Sequence, residues 1–289
     1  MDHTLLYTKR GGYEKKKKNR HSIWKYLLSA VIVIIYLLPI YVLVTMSFKS
    51  VTDQSPRLAL PQTWYIQNYI KVLTGSDIAR AFLNTVIITV ATVIIEVVVS
   101  CLAAYPLARN MSRFNKKIQM LIMGVMMIPS LSILVGVYSV LVSMHAISTY
   151  WGIVIVSAAF GLPMPIFMYT NFIRSLPVTL DEASAIDGCN ALQTFFRIIL
   201  PELKPVTASI VILNGVGMWN EYGYSLYILQ KPKMYTLTLM IAQYFSASAV
   251  SDLNGAAAAA CVAIAPVVFI YLFLQKYFVQ GQIDSAVKG

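Results

Sequence analysis

Residues 84–107 read NTVIITVATVIIEVVVSCLAAYPL, a stretch in which Glu96 is the one charged residue. The hydrocarbon core of a bilayer is about 30 Å thick, and a helix crosses it with about 20 apolar residues. A lipid-exposed segment must satisfy its own backbone hydrogen bonds, which a helix does. Barrel strands would instead show segments of about 10 residues with alternating polarity. The stretch therefore predicts a transmembrane helix and an all-α membrane protein.

Five further stretches of the same kind flank it: Ile23–Ser47, Ile118–Leu141, Tyr150–Phe172, Val206–Leu229 and Gly255–Tyr277. The sum is six transmembrane helices within residues 23–280, between a basic tail over 1–22 and a short tail over 281–289. The Val206–Leu229 stretch is the least apolar, since it carries Asn214, Asn220 and Glu221. The apolar run after Lys25 is too long for a signal-peptide core and precedes no small-x-small cleavage site, so it reads as a permanent span. Pro39, Pro129, Pro163, Pro165 and Pro266 predict kinks, which either shape a central cavity or serve ordinary packing. The Ala256–Ala260 run predicts a close helix–helix approach.

Composition agrees. The chain is 58% hydrophobic and 12% charged, whereas soluble domains carry about 25% charged residues. The net charge of +11 does not point to nucleic acid, because of where the charges sit. Eight of the 23 Lys and Arg precede Tyr26, including Lys15–Lys18, which reads as a disordered tail against anionic lipid. Others fall between spans, at Arg109, Arg113, Lys116 and Lys117, at Arg174, Arg197 and Lys204, and at Lys276 and Lys288. The opposite side has only Lys49, Arg57, Lys71, Arg80, Lys231 and Lys233. The positive-inside rule then puts both termini in the cytoplasm. The outer loop from Lys49 to Ala81 holds Pro56, Pro61 and Trp64, and predicts a compact cap with a short helix near Trp64–Leu73. Cys101, Cys189 and Cys261 suggest neither a disulfide framework nor a metal site.

The cytoplasmic segment 177–205 reads PVTLDEASAIDGCNALQTFFRIILPELKP. Thr179 and Glu182 have capping-box spacing, and Asp181 and Glu182 suit the positive end of a helix dipole. Gly188 can take the left-handed conformation that ends a helix, Asn190 can cap a second helix, and Pro201 should stop it. This helix–turn–helix either lies on the membrane surface or docks in a groove of a soluble partner.

The pattern Glu182-Ala183-Ser184, three residues, Gly188, nine residues, Ile198-x-Leu200-Pro201 resembles the signature of permeases of binding-protein-dependent ABC importers. One position departs: Ser184 stands where that signature has Ala. Residues 81–85, 103–109, Trp219-Asn220-Glu221-Tyr222 and the segment from Phe278 to Gly289 are also similar to the carbohydrate, maltose-type branch, and to the smaller permease of its heterodimer. The resemblance implies a type I ABC importer permease fold with a cytoplasmic coupling helix, in a bacterial plasma membrane. It implies a second permease subunit, two ATP-binding subunits and an extracytoplasmic solute-binding protein as partners. Glu182, Ala183, Ser184, Asp187 and Gly188 would then couple the chain to the ATPase. No Gly-x-x-x-x-Gly-Lys-Ser/Thr occurs, so no cofactor is expected in this chain, ATP and Mg being held by the partner.

Asn214, Trp219, Asn220, Glu221, Tyr222 and Tyr224 are candidates to line a sugar path, or to bond across helices. Glu96 is a costly group inside a span. It serves an interhelical hydrogen bond, a gating role or proton coupling. An ion-coupled transporter or channel would call for paired intramembrane charges or inverted repeats, for which Glu96 and Glu221 alone are thin support. A membrane enzyme finds no catalytic constellation, His3, His21 and His145 being scattered.

Overall fold

The computed structural model describes residues 5–247 and 252–287. Lys288, assigned above to the C-terminal tail, lies outside them. The described residues form helices and turns with no strand.

Helix α1 spans Leu5–Ser47. It starts well before the span, so the basic segment continues the helix instead of forming the disordered tail expected from its charge. Lys and Arg are good helix formers, and the apolar helix that follows supplies the costly nucleus. From Ile23 to Ile40 every residue of α1 is exposed. An apolar surface of that size is untenable in water, so lipid or another membrane chain is its solvent.

The loop after α1 then folds into α2, Gln67–Thr74. The buried Asn68 amide donates to the carbonyls of Ser47 and Lys49, both at 2.9 Å, which satisfies the open end of α1. Lys49, 3% exposed, donates to Ser55 Oγ at 2.8 Å and to the Pro56 carbonyl at 2.7 Å. Phe48 packs on Trp64 and Tyr69 with ring centroids 5.2 and 5.0 Å apart. The compact cap and its short helix are therefore present.

Helix α3, Ser76–Arg109, is the mast of the molecule. Its N-terminal end packs with α2 and the later helices through Ile78 and Ala81. Its middle joins a second core through Ile88, and its C-terminal end a third through Cys101, Ala104 and Ala108. The last carbonyls of α3 are served from nearby. Asn115 donates to Pro106 O at 3.1 Å and Gln119 to Leu107 O at 2.6 Å.

The remaining helices follow the expected order, with breaks where the sequence cannot continue a ladder. Helix α4, Arg113–Met126, is capped by Ser112, and with α5, Leu134–Ser143, forms a pair bent by 85° at Pro129 and a short 3-10 turn. Helices α6, Tyr150–Gly161, and α7, Pro163–Ser175, meet at 45°. Pro163 has no N–H to give to the preceding turn, which opens the ladder there. The segment 177–205 contributes α8, Thr179–Ile186, α9, Ala191–Thr194, and α10, Leu200–Glu202. Helix α11, Lys204–Trp219, ends before Asn220, so the expected fifth span is split from α12, Gly223–Ile228. Helix α13, Leu237–Ala247, was not anticipated, and α14 runs from Leu253 to Val287. Ala256, Ala257, Ala258 and Ala259 are at most 3% exposed, as a close approach requires. Among the described residues, two helices are long and apolar enough to cross a membrane, or up to four if each bent pair is one span.

Candidate functional site

The segment 177–205 starts at Pro177, whose fixed φ sets a tight turn. Val178 O accepts from Asp181 N at 2.9 Å and from Glu182 N at 3.1 Å, so the helix begins there. Thr179 already lies inside it, and Val178, the N-cap residue, makes no side-chain cap. The capping box read from Thr179 and Glu182 is therefore absent, because Pro177 starts the helix one residue early. Asp181 and Glu182 still occupy the first turn.

Asp181 is not a solvent-facing acid. Arg109 Nη2, at the end of α3, stands 2.8 Å from its Oδ2. Tyr105 OH donates to its Oδ1 at 2.8 Å, and Arg109 Nη1 donates to Leu176 O at 3.2 Å. The C-terminal end of the mast thus grips both the turn before α8 and its first turn.

The far end is closed by Gly188, at φ +79°. Cys189 N donates to Ser184 O at 2.9 Å and Gly188 N to Ala185 O at 3.1 Å, the paired bonds of a Schellman motif. Asn190 then caps α9 reciprocally with Gln193, each side-chain oxygen accepting at 2.9 Å. The next turn, Phe195–Ile199, widens to a π-helix. Pro201 lacks an N–H and its ring crowds the preceding turn, and a wider turn relieves both. The helix does not stop at Pro201, contrary to expectation, but runs on to Glu202, and α11 begins after a one-residue turn at Leu203.

Ser184 points inward. It is 1% exposed, and its hydroxyl lies 2.7 Å from Thr194 Oγ1 and donates to Asp181 O at 2.8 Å. Glu182, Ala183, Asp187 and Gly188 face outward. Beside them stand Ile186, 87% exposed, Leu192 and Phe196. The result is a small-residue ridge with acids and an apolar knob, clamped from behind.

The six candidates for a sugar path are not brought together. Asn214 Nδ2 donates to Glu96 Oε2 at 2.6 Å. Trp219 is buried, donates to Ala263 O at 3.2 Å and meets Phe82 edge-on. Glu221 accepts from Tyr224 N at 2.6 Å and Ser225 N at 3.0 Å, so it caps α12. Tyr224 is buried and stacked on Phe160. Only Asn220 and Tyr222 are exposed. Trp219 and Asn220 border a cavity of 190 Å³ with Thr238, Leu237, Ile241 and Ala263. A larger cavity of 390 Å³ beside Val90, Val93, Ile94, Val211 and Val267 is apolar, and ill suited to a hydroxyl-rich ligand.

Comparison with known proteins fits this arrangement. Residues 96–283 match the family described as binding-protein-dependent transport system inner membrane component. The chain belongs to this family. It is therefore an inner membrane component of a transport system, and residues 177–205 fall wholly within the matched part. The melibiose/raffinose/stachyose import permease of Bacillus subtilis is 37% identical to this permease, over 91% of this chain and 95% of that protein. The multiple sugar-binding transport system permease of Streptococcus mutans is 35% identical, over 95% and 100%. A bacterial ABC transporter structure, involved in alginate import, shares the fold with a TM-score of 0.79 at 22% identity, covering 91% of this permease and 98% of that chain.

Sequence reasoning missed Tyr105, Arg109 and Thr194. Tyr105 and Arg109 fall in the stretch 103–109 noted for its resemblance, but nothing local gives their role, since their partners are distant in the chain, and that of Thr194 is hidden in the turn. The exposed ridge of this permease was legible because it is written in contiguous residues.

Proposed function

We propose that this chain is the transmembrane permease subunit of an ATP-driven importer, and forms the path of a carbohydrate delivered by an extracytoplasmic solute-binding protein. It pairs with a second permease and with two ATP-binding subunits, which hold ATP and Mg. Six spans place both termini in the cytoplasm, and the helix Thr179–Ile186 seats in the ATP-binding subunit. The observation that carries the reading is the outward ridge Glu182–Gly188, with Ile186 unsupported in water while Asp181 is held from behind. Exposed apolar groups rimmed by polar ones mark a protein interface. The sugar class follows from the relatives' transport of melibiose, raffinose and stachyose and of multiple sugars.

The test is uptake of labelled melibiose, raffinose and stachyose by cells carrying the whole transport system. Gly188→Asp and Glu182→Lys should abolish uptake and release the ATP-binding subunit while the chain still enters the membrane. Full uptake by either variant would overturn the coupling role. Uptake that survives ATP depletion and follows a proton gradient would overturn the ATP-driven reading.

A further inference from the structure

Glu96 sits in the middle of α3 and is 3% exposed. Among the described residues it takes part in no ion pair. One carboxyl oxygen accepts from Asn214 of α11. The other lies against Gly161, the last residue of α6, at the 45° bend into α7. A Cβ at Gly161 would overlap Oε1 and come within 2.7 Å of the carboxyl carbon. The glycine is therefore the seat of the carboxyl group.

The topology gives this contact its meaning. The cytoplasmic segment 177–205 connects α7 to α11. Glu96 touches the bend at the head of the first and bonds to the second. It joins, inside the membrane, the two helices that leave the cytoplasmic segment. The costs of a carboxyl group at this depth are high, and a Leu would fill a helix interface without them.

We propose that Glu96 is a positioning residue for transport, the pivot that keeps α11 and the α6–α7 bend in register while the cytoplasmic segment is displaced. The inference rests on the coupling role of that segment. When the ATP-binding subunits close, displacement at residues 177–205 reaches α7 and α11 together, because both are fastened to one point on α3. Without the fastening each helix yields separately and ATP is spent without an outward opening. The group that matters is an acceptor of the right length, not a charge.

The experiment uses the assembled importer with its partner subunits in proteoliposomes, and MgATP as the probe. ATP hydrolysis is measured with and without the solute-binding protein. Intramembrane hydrogen bonds of this kind are modest, so Glu96→Leu and Asn214→Leu should each reduce the stimulation by the binding protein about 3- to 10-fold, with assembly and basal hydrolysis retained. The double variant should be no worse than either single one. Glu96→Gln keeps an acceptor and should stay within about twofold of the parent, well short of the loss set by the missing bond. Gly161→Ala should mimic Glu96→Leu, because a Cβ there displaces the carboxyl group from its seat.

Normal stimulation in Glu96→Leu would overturn the proposal. So would a Glu96→Gln variant as impaired as Glu96→Leu, which would make the charge essential. Failure of both leucine variants to assemble would make the contact structural only, and overturn it too. Gly188→Asp separates the two levels. If that variant is fully active the coupling reading itself falls, whereas its loss beside a normal Glu96→Leu sinks the pivot alone.

Discussion

Arg109, the last residue of α3, holds Asp181 in the first turn of α8 at 2.8 Å, with side chains 15% and 18% exposed. Tyr105 fills the second oxygen of the same carboxylate. Arg109 also donates from Nη1 to Leu176 O at 3.2 Å, a bond from a charged group of the kind worth about 1.5–3 kcal/mol, and removing the guanidinium leaves the Asp181 charge poorly solvated. Arg109→Ala should thus loosen the start of α8 by about 1–2 kcal/mol, the lower part of that range because water still reaches the pair. Backbone hydrogen exchange over residues 176–186 should speed up about 5- to 30-fold. Asp181→Asn keeps an acceptor for Tyr105 and should be milder. The exchanged pair Arg109→Asp with Asp181→Arg should recover part of the loss. Unchanged exchange in Arg109→Ala would show that backbone turns alone hold α8.

The turn after α8 makes a conformational demand and no spatial one. Gly188 has φ +79°, and a Cβ there would meet nothing within 4 Å. An L-residue in the left-handed region costs roughly 1–2 kcal/mol, Asn least among them. Gly188→Asn should therefore retain most uptake, Gly188→Ala less, and the β-branched Gly188→Val least. If Ala and Val were equally active, the left-handed turn would not be the reason for glycine. The relevant measure is uptake normalised to chain in the membrane fraction.

Ser184 replaces the Ala of the signature it otherwise matches, and its hydroxyl pairs with Thr194. Ser184→Ala should cost less than about 1 kcal/mol, because Thr194 Oγ1 keeps Asn190 O at 3.1 Å as an acceptor. Ser184→Leu forces a large side chain into a site that is 1% exposed, and overpacking costs about 1–3 kcal/mol. Thermal unfolding of the detergent-solubilised chain should separate the two. A Leu variant as stable as the Ala variant would mean that α8 lifts freely off α9.

What could be read in advance follows the range of each interaction. The Gly188 turn and the Asn190 cap are local, and both were legible in a few contiguous letters. The Thr179 cap was misread because Pro177 offered an earlier start that spacing alone does not rank. The grip of Arg109 on Asp181 and the bond from Asn214 to Glu96 close long loops, and no periodicity announces them. Glu221, a candidate for the sugar path or for a bond across helices, caps the first turn of α12, a local role that its place in an apolar stretch does not announce. Helix α13 went unassigned, being apolar but too short to cross a bilayer.

The outer cap carries a pH dependence of its own. Asp53 accepts hydrogen bonds from Ser55 N at 2.9 Å and from Gln62 N at 3.1 Å, tying the two ends of the loop. The Ser55 side chain, then the Ser55 and Gln62 backbone groups, pull its carboxyl below the usual value of 3.8. A carboxyl lowered in the folded loop stabilises that loop fully above its unfolded value. The contribution fades as the pH falls through the lower, folded value. Limited proteolysis between Lys49 and Trp64, read on the outer face of sealed vesicles with an acid-active protease, should accelerate as the pH drops below about 4. Asp53→Asn should flatten that acceleration by raising the rate at neutral pH, since its one amide oxygen can accept from Ser55 N or from Gln62 N but not from both. An Asp53→Asn chain with the same acid profile as the parent would assign the effect to another group.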